Sequence, residues 1–201
     1  MRIAVVGGGV ADIVSIHRED GRVTLTDAVG HSQTYDKVVI ATHADEAYRM
    51  LADPSENERR LLGAWRYSTN QTFLHTDLNW MPTNRKAWAS WNVIRASQAG
   101  VDAPVTLTYH MNRLQRLRAQ NDYLVTLNPF RPIAEERILA QMTYTHPVFS
   151  FDSLATQPYL ASLNGVRNTV YCGSYFGYGF QEDAARSGVQ AASALGVDHE
   201  F

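Results

Sequence analysis

The sequence predicts an α/β protein with α+β character, in which a short parallel sheet is joined to a separate antiparallel sheet. Residues 2–6 (RIAVV) are a β-rich run that stops at glycines, and residues 36–41 (DKVVIA) are apolar at successive positions. Both patterns are typical of parallel strands that are covered on both faces. The middle of the chain instead alternates apolar and polar residues, which predicts antiparallel strands. We therefore assign residues 1–54 and 165–201 to one domain and residues 55–164 to another.

The composition is that of a globular protein and excludes several classes of function. Hydrophobic residues make up 45% and charged residues 19% of the 201 residues, which is close to globular averages. The formal net charge of −2 gives no broad basic field, so nucleic acid is not an expected partner. Cys172 is the single cysteine, which excludes an intrachain disulfide. The opening apolar run is too short for a secretory leader or a membrane span, so we expect a cytoplasmic protein without a transmembrane segment.

Turn and capping residues predict several local elements. Asp20 and Gly21 lie between two alternating segments, and this dipeptide readily takes the positive φ angles of a hairpin turn. Ser55 is followed three residues later by Glu58, a capping-box spacing that predicts a helix through about Trp65. Further along, the segments TFLHTD and AWASWNV alternate and predict two strands with a turn between them.

Three glycines follow the opening strand and are the first candidate for a binding site. A dinucleotide fold needs glycine at the first turn position and where the backbone approaches the pyrophosphate, and Gly7 and Gly9 meet these two needs. The third glycine position falls on Asp12, and an alternating hairpin pattern begins almost at once where a crossover helix is expected. The residues alone therefore leave two interpretations open, a phosphate cradle or an ordinary strand and turn.

The carboxy-terminal stretch is the second candidate. Residues 168–173 (NTVYCG) predict a strand, residues 174–181 (SYFGYGFQ) a glycine and aromatic loop, and Glu182–Leu195 an alanine-rich helix. This order directs free backbone N–H groups at whatever lies above the strand. The alternative is a glycine-rich connection whose aromatic side chains simply pack. Elsewhere, the histidines lack HxxxH or HxH spacing and no serine lies in a GxSxG elbow, so we predict neither a metal site nor a serine nucleophile.

The carboxy-terminal stretch also carries a family resemblance. Residues 170–192 (VYCGSYFGYGFQEDAARSGVQAA) resemble the carboxy-terminal FAD motif of the flavin-containing amine oxidase superfamily, in particular bacterial NAD/FAD-binding oxidoreductases. Residues 36–54 resemble that family's strand returning to the FAD domain, and residues 66–77 and 87–92 resemble strands of its substrate domain. The resemblance implies an abbreviated Rossmann-like FAD-binding sheet with an antiparallel-sheet substrate domain. It is abbreviated because Val10 passes almost directly into the hairpin, without the family's crossover helix or the acidic residue that holds the ribose.

The resemblance implies where FAD would be bound. The implied cofactor-binding residues are Gly7, Gly9, Ile13, Val14, Ala41, Thr42, Gly173, Ser174, Gly179, Phe180 and Gln181. Ile13 and Val14 would contact the adenine, whereas the last three would lie beside the isoalloxazine. Phe180 occupies the place where many family members carry a cage tyrosine. No catalytic acid or base is implied by a matching position.

Two functions follow as hypotheses. The first is an FAD-dependent oxidoreductase of the amine-oxidase type, or a shortened remnant of one, that transfers a hydride from a substrate C–H to the flavin. The second is a non-catalytic binding or oligomerising module that has lost FAD binding and pairs through the surface left by the missing segment. The sequence leaves the small-molecule substrate, the electron acceptor and homo-oligomerisation open.

Overall fold

A computed structural model describes residues 1–7, 13–95 and 105–197. In these ranges the strands are β1 Ile3–Gly7, β2 Ile13–Glu19, β3 Arg22–Asp27, β4 Ser32–Tyr35, β5 Lys37–Ala41, β6 Arg66–His75, β7 Trp91–Ile94, β8 Thr106–His110, β9 Leu124–Leu127, β10 Ile138–Val148 and β11 Thr169–Tyr171. The α-helices are α1 Ala44–Met50, α2 Glu56–Leu62, α3 Met111–Leu114, α4 Phe151–Thr156 and α5 Gln181–Ala194. No α-helix within these ranges has the length and apolar character needed to cross a membrane.

Strands β1, β5 and β11 form a parallel sheet, with β5 in the centre. Apolar side chains alternate between its two faces, as the period of a strand requires. On one face Val38 and Ile40 enter the main core. On the other face Val170 and Cys172 pack against Ala191 of α5. The predicted parallel sheet and the mixed α/β class are therefore confirmed.

A second sheet contains the predicted hairpin. Strands β2 and β3 pair in antiparallel fashion, and β4 adds to the outer side of β3. The turn residues Asp20 and Gly21 have φ angles of 51° and 71°, the two positive values that a tight hairpin turn of this kind needs. This feature was predictable because few residues adopt such angles at low cost.

The third sheet has five strands in the order β10-β6-β9-β8-β7, and β6, β9, β8 and β7 are antiparallel neighbours. Its small core includes Trp80 and Leu124. The strand predicted over AWASWNV is wrong in its first half, since β7 begins only at Trp91. Asn84 caps a 3-10 turn over Arg85–Ala87 by accepting from the Lys86 N–H at 3.0 Å, and Asn92 Oδ1 accepts from the Ala89 N–H at 3.0 Å within the expected strand.

The capping box at Ser55 is present. Ser55 Oγ accepts from the Glu58 N–H at 3.3 Å, and Glu58 Oε2 accepts from the Ser55 N–H at 2.7 Å. The helix starts where predicted but ends at Leu62 rather than near Trp65, because Gly63 closes it as the C-cap.

The chain divides into two compact units, Met1–Tyr67 with Pro147–Phe201, and Ser68–His146. The predicted domain boundaries at residues 54 and 165 fall inside the first unit. The reason is that Leu61 of α2 and Leu160 join the same core as the parallel sheet. The sequence assigned both segments to the antiparallel-sheet domain, but their apolar residues are buried with the first unit.

Candidate functional site

The carboxyl ends of the three parallel strands meet at one edge of the first unit. Gly7 and Ala41 are register partners at the ends of β1 and β5, and Tyr171 ends β11 one register step away, beside Ile40. In open parallel sheets, ligands bind outside this edge. Among the residues that the structure describes, an added Cβ on Gly7 would have the carbonyl oxygen of Ala41 as its single neighbour within 4 Å, at 3.7 Å. These described residues therefore leave room for a close approach by a ligand at Gly7.

Gly173 and Thr42 continue this edge beyond the strands. A Cβ on Gly173 would lie 2.6 Å from Cε1 of Tyr175 and 3.3 Å from the carbonyl oxygen of Thr42. Glycine at position 173 is thus required by the packing of the buried Tyr175 ring. Ser174 follows directly and opens a 3-10 turn, Ser174–Phe176.

Helix α5 begins after a loop that Asp183 organises. Its Oδ2 atom accepts from the Tyr178 N–H at 3.0 Å and from the Phe180 N–H at 3.1 Å. A Cβ on Gly177 would lie 2.2 Å from Asp183 Oδ1, so the loop needs glycine there to fold over the carboxylate. Sequence reasoning missed Asp183, although an acidic residue three positions after an N-cap is a usual capping signal.

Two amides at the start of α5 remain available. Within the described part of the chain, the backbone N–H groups of Gln181 and Glu182 have no hydrogen-bond partner. Free amides and the helix dipole together favour a partial negative charge at this point. Ser187 fixes the helix against the strand edge, since the Gly173 N–H donates to Ser187 Oγ at 2.9 Å. Ser187 is a second residue that the sequence analysis missed.

Gly179 has a left-handed backbone with a φ angle of 90°. The position of its missing Cβ faces its own unit, 3.4 Å from Cζ of Phe149 and 3.9 Å from Cγ of Pro147. Phe149 in turn packs edge-on against Trp65, with ring centroids 5.7 Å apart. A flat ligand at Gly179 would therefore lie on the side away from Phe149. The neighbouring side chain of Phe180 is exposed.

Ile13 and Val14 lie on the hairpin sheet rather than on the parallel sheet. The register of β2 against β3 shifts between Ile13 and Ser15, which leaves Val14 without a partner in β3. Such an irregularity leaves the backbone there free to bind something else. Gly9 lies outside the described residues.

Buried polar groups occur beneath the glycine loop. Trp65 Nε1 and Tyr175 Oη are buried and have no hydrogen-bond partner among the described residues, although their rings are in edge contact at 5.7 Å. Burial raises the pKa of Tyr67 to about 12, and its phenol oxygen accepts from the Ala44 N–H at 3.0 Å. Burial also raises the pKa of the Cys172 thiol, which therefore does not supply a thiolate nucleophile.

Solved structures share this architecture. The fatty acid isomerase of P. acnes matches with a TM-score of 0.59 at 15% identity, over 93% of this chain and 48% of that one. Putrescine oxidase bound to putrescine matches with a TM-score of 0.56 at 13% identity, over 92% and 48%. Cyclohexylamine oxidase from Brevibacterium oxydans gives a TM-score of 0.56 at 11% identity, over 91% and 47%.

This is the fold of the flavin amine oxidase superfamily. The resemblance stated from the carboxy-terminal motif is thereby confirmed at the level of the fold. The chain spans about half the length of these three solved structures. No family model and no curated protein sequence matches it.

Proposed function

We propose that the chain is an FAD-dependent oxidoreductase of the amine-oxidase type, or a shortened form of one, which takes a hydride from a substrate C–H. The observation that carries the proposal is the pair of free amides at Gln181 and Glu182, on a helix tied by Ser187 to the strand edge. The flavin amine oxidase fold supports the same general kind of chemistry. The activity of those longer proteins is a proposal for this chain.

The residues at the strand edge fit the cofactor in part. Gly7, Ala41 and Gly173 would supply backbone to the pyrophosphate and ribityl chain, since small or absent side chains allow close approach. Bound flavin would supply the two-electron acceptor. The Gln181 and Glu182 N–H groups would donate to the oxygen edge of the ring, because dipoles already oriented stabilise negative charge without reorganisation.

A pair of glycine variants tests this placement. Gly179→Ala adds a methyl group on the Phe149 side of a backbone with a φ angle of 90°, and so perturbs the loop that would hold the ring on its other side. Gly196→Ala is the matched control, because its φ angle is 85° and nothing lies within 4 Å of the added Cβ. The backbone strain, of about 1–2 kcal/mol, is shared by the two variants. We expect purified wild type and Gly196→Ala to retain added FAD on gel filtration, and Gly179→Ala to lose most of it.

Absorbance at the flavin bands in the protein peak measures the retained cofactor. Equal retention by the two variants would show that Gly179 is not at the ring. A colourless wild-type protein that does not retain added FAD would refute the proposal as a whole.

One observation favours the alternative function of an oligomerising module. Val5 of β1 is 71% exposed, whereas Val170 of β11 is only 1% exposed because α5 covers it. In the described ranges β1 has β5 as its single partner, so both an apolar side chain and a strand edge are open. Under this alternative the protein runs as a dimer without FAD, and Val5→Lys returns it to a monomer. A monomer before the substitution would exclude this alternative.

A further inference from the structure

The second unit contains a polar cavity of about 490 Å³ at one end of its five-stranded sheet. Thr76, which follows the last residue of β6, and Glu136 and Arg137, which precede β10, line it. The cavity thus lies at the opposite end of these two strands from residues 68 and 146, where the unit begins and ends. No residue assigned to the FAD site is among the described residues that line it.

Two arginines line this cavity without an ion pair. Arg85 and Arg137 have no carboxylate partner among the described residues, although carboxylates occur in the same wall. The guanidinium of Arg85 lies over the ring of Trp88, 4.8 Å from its centroid, which holds it in place. A guanidinium carries only donors, in a planar fork that matches a carboxylate. Both guanidinium groups are exposed and are therefore accessible to an anionic ligand.

A carboxylate faces the same cavity. Asp122 lines it and accepts from His110 Nε2 through Oδ1 at 2.8 Å, while Oδ2 has no partner among the described residues. His110 is 8% exposed and packs edge-on against Trp88, so the carboxylate is held by a buried ring. An ionised carboxylate only accepts, and the Asp122 side chain is 29% exposed, so its second oxygen is accessible to a donor on a ligand.

A third acidic residue, Asp77, stabilises the backbone of the cavity wall and is not assigned to the ligand. Asp77 is buried, and its two oxygens accept from the Asn79 N–H at 3.1 Å and from the Ala134 N–H at 3.3 Å. These bonds tie the loop after β6 to the loop before β10. The cavity is therefore a preformed feature, because its wall is fixed without a ligand.

We infer that this cavity binds a small zwitterionic molecule of the amino-acid type. Its carboxylate is held by Arg85 and Arg137, and its ammonium is held by the free oxygen of Asp122. Charged donors and a charged acceptor that line one cavity are complementary to a ligand that carries both an anionic and a cationic group. The inference does not depend on FAD, and it concerns a different unit.

Isothermal titration of the full chain with L-glutamate and with glutarate tests the inference, because the two probes differ by the ammonium group. We expect L-glutamate to bind with a Kd of about 1 mM or tighter. Glutarate should bind about tenfold more weakly, since it lacks the charged donor to Asp122. Asp122→Asn should reduce L-glutamate binding to the glutarate level, because the amide keeps an oxygen for His110 but loses the charge.

Arg137→Gln should weaken the binding of both probes by about tenfold. Arg118→Gln is the matched control, because Arg118 is exposed in the same unit and does not line the cavity. A thermal midpoint equal to that of the wild type would show that each variant is folded. Absence of saturable L-glutamate binding, equal binding of glutarate, or an equal effect of Arg118→Gln would each overturn the inference.

Discussion

The first unit buries a pair of opposite charges, Arg18 and Glu58, whereas the second buries hydroxyl, amide and imidazole groups beside one carboxylate, Asp77. In the first unit, the Arg18 guanidinium donates from Nη2 to Glu58 Oε2 at 3.0 Å and from Nε to Asp53 Oδ1 at 2.9 Å. Tyr171 adds a hydrogen bond from its hydroxyl to Glu58 Oε1 at 2.6 Å. This cluster joins the hairpin sheet, α2 and the parallel sheet. It therefore links elements that are far apart in the sequence.

The second unit places a chain of neutral groups between its strands. His75 Nδ1 accepts from the Asp77 N–H at 3.1 Å, so Nε2 carries the proton and donates to Thr126 Oγ1 at 2.7 Å. Thr126 Oγ1 lies 2.9 Å from Thr108 Oγ1 on the next strand. A neutral network costs less free energy to bury than a charged one. Removal of one member also costs less, because the group that is left unpaired is polar but uncharged.

The comparison shows that the two units offset the desolvation cost of their buried titratable side chains in different ways. Arg18 and Glu58 stay charged because each compensates the other, and neither tolerates the loss of its partner. The His75 ring forms no ion pair with a carboxylate in the described part of the chain, and burial keeps it neutral instead. Removing partners and changing the pH should therefore affect the two units unequally.

The largest expected effect comes from breaking the charged cluster. Glu58→Gln leaves the nearly inaccessible Arg18 guanidinium without its main counter-charge, and should lower the free energy of unfolding by about 3–5 kcal/mol. Urea denaturation measures this change. Glu182→Gln is the control, because it removes the same type of group from an exposed pair with Arg186, and should leave the free energy close to that of the wild type. Similar values for the two variants would contradict the role of the buried cluster.

Acidification should affect the second unit first. Burial lowers the pKa of His75 to about 4. The pKa of histidine in the unfolded state is near 6.5, so below that pH the unfolded state binds more protons than the folded state. The contribution of neutral His75 to the free energy of unfolding is therefore full above pH 6.5 and is lost as the pH falls through about 4. Burial alone would raise the pKa of Glu58, but hydrogen bonds from Arg18 and Tyr171 outweigh it and lower the pKa to about 2. Its contribution is therefore lost in a later window, from about pH 4.5 down to about 2.

Each of these two groups accounts for about 3 kcal/mol across its window. Hydrogen exchange followed by mass spectrometry at stepwise lower pH should show β6 and β9 losing protection before β5 and β11. His75→Gln should flatten the loss between pH 6.5 and 4. Simultaneous loss in both units, or a slope that His75→Gln does not change, would refute this order.

The smallest expected effect comes from the end of the neutral chain. Thr108→Val removes one hydroxyl of a buried pair at nearly constant shape, and should cost about 1 kcal/mol. Thr24→Val is the matched control, because Thr24 pairs with Thr34 at 3.2 Å on the half-buried hairpin of the first unit. We expect the control to change the urea midpoint less than Thr108→Val does. A larger effect at Thr24 would contradict the contrast.

Local signals in the sequence predicted those parts of the fold that short-range chemistry determines. The hairpin at Asp20 and Gly21 and the capping box at Ser55 depend on residues a few positions apart. The strand over AWASWNV was wrong in its first half because the Asn92 side chain binds the Ala89 N–H, and alternation alone does not register that competition. The boundaries predicted at residues 54 and 165 differ from those of the two compact units. Leu160 is buried in the same core as the parallel sheet, and such long-range packing is not visible in a local sequence pattern.

The candidate site was predictable where glycines mark it and was missed where polar side chains support it. The sequence pointed to Gly173 and Gly179 because glycine is the residue that permits close approach and positive φ. It did not point to Asp183 or Ser187, whose roles arise only when the loop folds back on α5. Binding at these residues stays a prediction, which the glycine variants test.

Cys172 is the one sulfhydryl of the chain, and it lies between the parallel sheet and α5. A maleimide or disulfide reagent can reach it only when that helix lifts away from the strands. The rate of labelling therefore reports a single opening event, without any engineered probe. Slower labelling in the presence of added FAD would locate the ligand's effect at this helix.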